Sequence, residues 1–135
     1  MRLTWKEYST FFDLWSKHGT GCMIYVIGET HHCYIGSIGS RGGKGGLKMR
    51  YQQQYLLRAQ AMFGFDESAG QKAFCALFDE ISDPAVILQV EALVQRQFIQ
   101  AHGRGKALFR PLPVKCELAL ENRGSPPSFL ERPKH

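Results

Sequence analysis

The stretch "MIYVIGETHHCYIGSIGSRGGKGGLKMRY", residues 23–51, holds two short apolar runs and a glycine-rich basic segment. "CMIYVI" (22–27) and "CYIGSI" (33–38) are rich in Ile, Val and Tyr, and "GETHH" separates them. That pattern predicts an antiparallel β-hairpin. Each run carries a tyrosine, Tyr25 and Tyr34. A turn centred on Glu29-Thr30 would set Tyr25 opposite Tyr34, with both phenols on one face; a slip of one residue would send them to opposite faces.

Downstream, "GSIGSRGGKGG" (36–46) is basic and turn-rich. It is not a P-loop, because Lys44 is followed by glycine rather than Ser or Thr. "LKMRYQQQYLLRAQAMF" (47–63) predicts a helix with an apolar stripe through Leu47, Tyr51, Tyr55 and Met62. Arg50 and Arg58 fall eight residues apart, near one face of it.

Upstream, "TWKE" predicts a helix start, with Thr4 at the N-cap and Glu7 completing a capping box. Tyr8, Phe11, Phe12 and Trp15 continue at helical spacing, and His18-Gly19 closes the element. "KAFCALFDEI" (72–81) fits neither period and reads equally as strand or helix. "DPAVILQVEALVQRQFIQAHG" (83–103) is unambiguous. Asp83 caps, Pro84 takes the first helical position and Gly103 ends the helix. Val86, Val90, Leu93 and Val94 form its core stripe, which Ile87 and Phe98 widen on one side. Glu91, the only acid inside this helix, falls at the border of that face, where it would point into a cleft beside the sheet. The last residues, "ENRGSPPSFLERPKH", read as an extended or mobile arm.

A chain of 135 residues with 44% hydrophobic residues builds one domain with a real core. No run approaches a membrane span, and "MRLTWKEYSTFFDLW" mixes charge into its apolar residues, unlike a secretory leader. Cys22, Cys33, Cys75 and Cys116 form no CxxC pair, which suggests reduced, mostly buried thiols in a cytoplasmic protein. His31-His32-Cys33 read as solvated turn residues rather than metal ligands. The net charge is +5 and unevenly spread. From Thr30 to Phe65 there are five cations (Arg41, Lys44, Lys48, Arg50, Arg58) and no acid; from Ala92 to Cys116 there are five more (Arg96, Arg104, Lys106, Arg110, Lys115), again with none. Two such stretches suit a polyanion surface. The plainer reading is a pair of solvated basic faces.

A strand tyrosine, a second in "YIG", an arginine and a later helical glutamate form a series that resembles the GIY-YIG nuclease superfamily. "MIY" (23–25) stands for "GIY", "YIG" (34–36) is intact, Arg50 opens the next helix and Glu91 lies in "VEALV". The likeness spans about residues 22–102. Met23 replaces the first glycine, the glycine-rich insertion lengthens the interval to Arg50, and Gln54 stands where the family commonly has His or Tyr, with Tyr55 beside it. The family's late asparagine has no counterpart, since Asn122 is the only Asn in the chain.

The resemblance implies an α/β domain over residues 1–121, a small mainly antiparallel sheet flanked by helices, with a flexible tail at 122–135. It implies a metal-dependent endonuclease acting on DNA, with RNA as the alternative substrate. Glu91 would hold Mg²⁺ or Mn²⁺, Arg50 would pair with non-bridging phosphate oxygens, and Tyr25 would act as or position the general base. A free phenol near pKa 10 is a poor base at neutral pH, so that role needs the metal and cations beside it. Tyr34 would orient water or phosphate, and Tyr55 would fill the His/Tyr position. Arg41, Lys44, Lys48, Arg58, Arg96, Arg104 and Lys106 are the candidate nucleic-acid contacts. The rival expectations are a nucleic-acid-binding module of the same fold without the chemistry, and a subunit that docks an acidic protein partner.

Overall fold

The computed structural model describes residues 2–9, 13–14, 17, 23–29, 32–38, 72–78 and 83–130. Five strands form one sheet: β1 (Arg2–Tyr8), β2 (Met23–Glu29), β3 (His32–Ile38), β4 (Ala73–Leu77) and β5 (Glu121–Gly124), in the order β3-β2-β4-β1-β5. Every neighbouring pair is antiparallel except β1 with β5, which is parallel. One long helix, α1 (Pro84–His102), packs against β3 and β2. The described part is therefore a mixed α/β fold with a small, mostly antiparallel sheet. No helix among the described residues is long and apolar enough to cross a membrane.

The hairpin forms as its composition predicts, with Glu29 paired to His32. Its register differs by one step at the turn. Tyr25 faces Gly36, and Tyr34 faces Ile27. Because the pairing sum moves by two residues, the parity survives and both tyrosines keep the same face.

β4 settles the ambiguous segment. It lies between β2 and β1, so both of its edges are hydrogen-bonded, and Ala73 through Ala76 are all buried, which means side chains are packed on both of its faces. A strand covered on both sides loses its alternating pattern, which is why periodicity could not classify it. Across this middle the register aligns Lys6, Cys75, Tyr25 and Gly36 in one row, with Tyr8, Ala73, Ile27 and Tyr34 in the next row on the same face.

The helix expected from Thr4 is instead β1. Leu3 and Trp5 are buried while Thr4 and Lys6 are exposed, a period of two that pairing with β4 and β5 imposes. The capping box was a local signal overridden by these ladders. Helical conformation appears later, at Asp13, Leu14 and Lys17, where Leu14 is buried.

The C-terminal arm also departs from expectation. Residues 121–124 form β5, the Trp5 indole Nε1 donates to Asn122 Oδ1 at 2.9 Å, and Leu130 is buried in the core. Sequence made residues 122–135 a flexible tail; of these, 122–130 are built into the fold, and 131–135 lie outside the described residues. The polar, Pro-rich composition concealed one edge strand and one apolar anchor.

Helix α1 matches its sequence signals closely. Asp83 accepts from Ala85 N at 2.9 Å, Pro84 follows, and Gly103 N donates to the Ile99 carbonyl at 2.7 Å. Ile87, Val90, Val94 and Phe98 are buried, each contributing roughly 1.5–3 kcal/mol by removal from water. The segment after the helix has little regular structure and is fastened by side chains. Gln89 Oε1 accepts from Lys115 N at 2.8 Å and Cys116 N at 3.1 Å.

Cys33 and Cys75 are buried and free, whereas Cys116 is free but exposed. Burial pushes the Cys33 thiol well up and the Cys75 thiol up to about 11, with Lys6 partly opposing the latter. Both are core thiols with little thiolate at neutral pH. The turn reading of His31-His32-Cys33 fails at Cys33, whose side chain is fully buried in β3.

Gly124 gives a direct check on the docked C-terminal segment. Its φ is +78°, and a Cβ there would collide with the Trp5 carbonyl oxygen. Gly124→Ala should therefore destabilise the protein by at least about 1 kcal/mol, seen as a lower denaturation midpoint. An unchanged midpoint would mean that β5 contributes nothing to the folded state.

Candidate functional site

The two tyrosines meet over a glycine. Tyr25 and Tyr34 stack with ring centroids 5.9 Å apart and planes inclined by 25°. A Cβ on Gly36 would fall 2.6 Å from Tyr25 Oη, 2.7 Å from its Cζ and 2.9 Å from Tyr34 Cε1. The hydroxyl end of Tyr25 thus occupies the space a side chain at residue 36 would need. This gives the glycine of "YIG" a physical cause: it lets the phenol lie flat on the β3 backbone. Tyr25 has no exposed surface and Tyr34 is 5% exposed, so the pair is enclosed rather than spread on an open groove.

Glu91 reaches the same strand from the helix. It is 7% exposed, and its Oε2 accepts from Gln95 Nε2 at 3.0 Å. The same amide nitrogen donates to the Ile35 carbonyl at 3.1 Å. Ile35 lies between Tyr34 and Gly36, so one side-chain amide links the carboxylate to the backbone carrying the tyrosine stack. The border position read from the helical wheel corresponds to a buried carboxylate.

Gln95 is what the sequence reading missed. It is 1% exposed, and its Oε1 also accepts from Leu112 N at 2.9 Å. The signal was available: Gln95 follows Glu91 by four residues on the same face, the spacing at which helical side chains pair. A glutamine within a polar "VQRQF" run gave no reason to single it out.

The candidate basic residues divide. Arg96 is engaged by Glu117 in a two-pronged ion pair of 2.5 and 2.7 Å, which holds the Glu117 carboxyl below its usual range. The acid-free window from Ala92 to Cys116 stopped one residue short of this partner. Arg104 and Lys106, in a short 3₁₀ turn after α1, have no ion pair among the described residues, and the same holds for exposed Arg110 and Lys115. This turn adjoins the outer edge of β3, where Leu108 N donates to the Cys33 carbonyl at 2.8 Å. Arg41, Lys44, Lys48, Arg50, Tyr55 and Arg58 lie outside the described residues.

Among the described residues, the donor to consider on this surface for a divalent cation is Glu91. The described residues hold no group of three or more His, Cys, Asp and Glu side chains. An all-protein cage is therefore not offered by them. A single oriented carboxylate does fit Mg²⁺, which takes much of its octahedral shell from water and phosphate oxygens. A cleft of about 240 Å³ borders Arg96, Gln97 and Asn122, but neither the tyrosines nor Glu91 line it. The chemistry-bearing side chains are elsewhere.

Compared with known proteins, the chain matches no family model, no curated protein and no solved structure.

The stack over Gly36 generates its own test. Gly36→Ala forces aromatic ring atoms, not a flexible chain end, to move. It should cost about 1–3 kcal/mol in stability and change the near-ultraviolet circular dichroism of the tyrosines. Parental stability and spectrum in the Gly36→Ala protein would contradict the close approach.

Proposed function

We propose that the protein is a divalent-metal-dependent endonuclease that hydrolyses phosphodiester bonds, with DNA as substrate, through a site of the GIY-YIG type. One observation supports this reading above the others. The two tyrosines of the motif stack over its glycine, while the helical glutamate reaches the same strand through Gln95. Four motif positions, three from the hairpin and one from a helix distant in sequence, thus gather around one strand, β3.

In this reading Glu91 holds Mg²⁺ or Mn²⁺, which when bound supplies Lewis acidity at the scissile phosphate. Tyr25 accepts or directs the proton of the attacking water, and Tyr34 fixes the orientation of the water or phosphate. Arg50 pairs with the non-bridging oxygens through its planar fork, and Tyr55 supports it. Arg104 and Lys106 beside the β3 edge attract the backbone of the nucleic acid, assisted by Arg41, Lys44, Lys48 and Arg58. Arg96 is withdrawn from this role by Glu117.

The enclosure of the site favours a second reading. Tyr25 is fully buried while Arg104 is exposed, as in a nucleic-acid-binding module that keeps the tyrosines for packing. Two substitutions separate the readings. Cleavage of supercoiled, linear and branched DNA is measured with and without Mg²⁺ or Mn²⁺. Glu91→Gln should lower cleavage at least about a hundredfold while binding persists, because it removes charge and keeps shape. Tyr25→Phe keeps the ring over Gly36 and removes only the hydroxyl; it should lower cleavage comparably with little loss of stability. DNA binding without metal-dependent cleavage by the parent protein would select the binding module.

The division of the cations gives a separate expectation. Arg104→Ala and Lys106→Ala should each weaken DNA binding and reduce the salt slope by about one per lost phosphate contact. Arg96→Ala should leave that slope unchanged, since its charge is already matched. Equal effects at all three positions would place the nucleic acid on a different face.

A further inference from the structure

The Gln95 amide can be oriented without ambiguity from its surroundings. One flank meets the Ile35 carbonyl, which only accepts, and the opposite side meets the Leu112 N–H, which only donates. Reversing the amide would set oxygen against oxygen at Ile35 and N–H against N–H at Leu112. Nε2 must therefore face Ile35, and its second hydrogen is directed to Glu91 Oε2. Leu112 stands between Pro111 and Pro113, so its N–H is the only backbone donor of that tripeptide. Gln95 is 1% exposed, and its contacts to Ile35 and Glu91 are buried while that to Leu112 is partly so, which hinders exchange of the first two for water.

We propose that Gln95 is a positioning residue: it aims the Glu91 carboxylate and couples it to the tyrosine strand at Ile35 and to the post-helical segment at Leu112. The proposal rests on reading Glu91 as the metal-binding acid. A carboxylate on a helix has several rotamers, and a hard cation tolerates only a narrow range of oxygen positions. The amide removes that freedom by occupying Oε2 from a fixed direction. Gln89 provides an internal comparison on the same helix. It fastens the same post-helical segment, but its bonds at Pro113, Lys115 and Cys116 all go to backbone.

The test compares the full-length parent with Gln95→Met, Gln89→Met and Glu91→Gln. Mn²⁺ affinity is followed by water-proton relaxation, folding by circular dichroism, and cleavage by kcat and KM for DNA. Gln95→Met should remain folded, weaken Mn²⁺ binding by roughly ten- to a hundredfold, and lower kcat with KM unchanged, as loss of a group that orients a metal ligand does. Gln89→Met should be destabilised but bind Mn²⁺ like the parent. In ¹⁵N-labelled parent protein the Gln95 side-chain amide resonances should shift on adding Mg²⁺, and this shift should vanish in Glu91→Gln; that measurement decides the matter even if Gln95→Met fails to fold. Parental Mn²⁺ affinity in Gln95→Met, or Gln95 amide resonances indifferent to bound Mg²⁺, would overturn the positioning role while leaving Glu91 as the ligand. Absence of Mn²⁺ binding by the parent itself would overturn the metal site and the positioning role together.

Discussion

The register of the β2–β3 hairpin constrains everything placed around it. Pairing Glu29 with His32 sets Tyr25 opposite Gly36 and leaves Tyr34 one diagonal step away. Diagonal neighbours on one face lie within reach of aromatic side chains, which is how the rings come to stack at 5.9 Å. A one-residue slip would put a side chain under the Tyr25 phenol and send one ring to the other face. The same register turns the carbonyls of Cys33 and Ile35 toward the outer edge, where Leu108 N and Gln95 Nε2 take them. Ring packing and edge protection are thus set by one register.

That edge is handled in an economical way. An outer strand with open carbonyls and N–H groups invites pairing with other chains. Among the described residues, α1 and the segment that follows it cover β3 through a backbone bridge and a side-chain amide rather than with another strand. The amide that closes the edge is the one that holds Glu91. Stability and any chemistry at this carboxylate therefore share a single group, and a substitution there disturbs both unless the readout separates them.

Local signals were legible where local forces decide. Asp83, Pro84 and Gly103 bounded α1 correctly because capping depends on the nearest few residues. The hairpin was legible from two β-rich runs and a polar turn. Thr4 and Glu7 misled because Leu3 and Trp5 are held in β1 by partners distant in sequence, among them Ala76 and Gly124, which no window around the N-terminus contains. Asn122 and Leu130 were hidden for the same reason: their partners, Trp5 and the core, are distant in sequence. At the candidate site, residue types and order drew attention to Tyr25, Tyr34 and Glu91, whereas the bond from Gln95 to the Ile35 carbonyl ends on a backbone group, which carries no side-chain identity for a sequence to display.

Burial sorts the site into two parts with different physical duties. Tyr25, Tyr34, Glu91 and Gln95 are enclosed and fixed by packing or hydrogen bonds, whereas Arg104 is exposed and its neighbour Lys106 half-buried, both free of ion pairs among the described residues. Exposed cations act on a polyanion at a distance comparable to the Debye length, and salt weakens them. Enclosed dipoles act only at contact, but in a low-dielectric setting where each interaction is stronger and costs less reorganisation. On the proposed reading, a phosphodiester drawn in by the exposed cations would meet the enclosed side chains only by reaching the β3 edge. Affinity and chemistry would therefore fail separately under mutation, because the residues that would supply them differ in exposure as well as in kind.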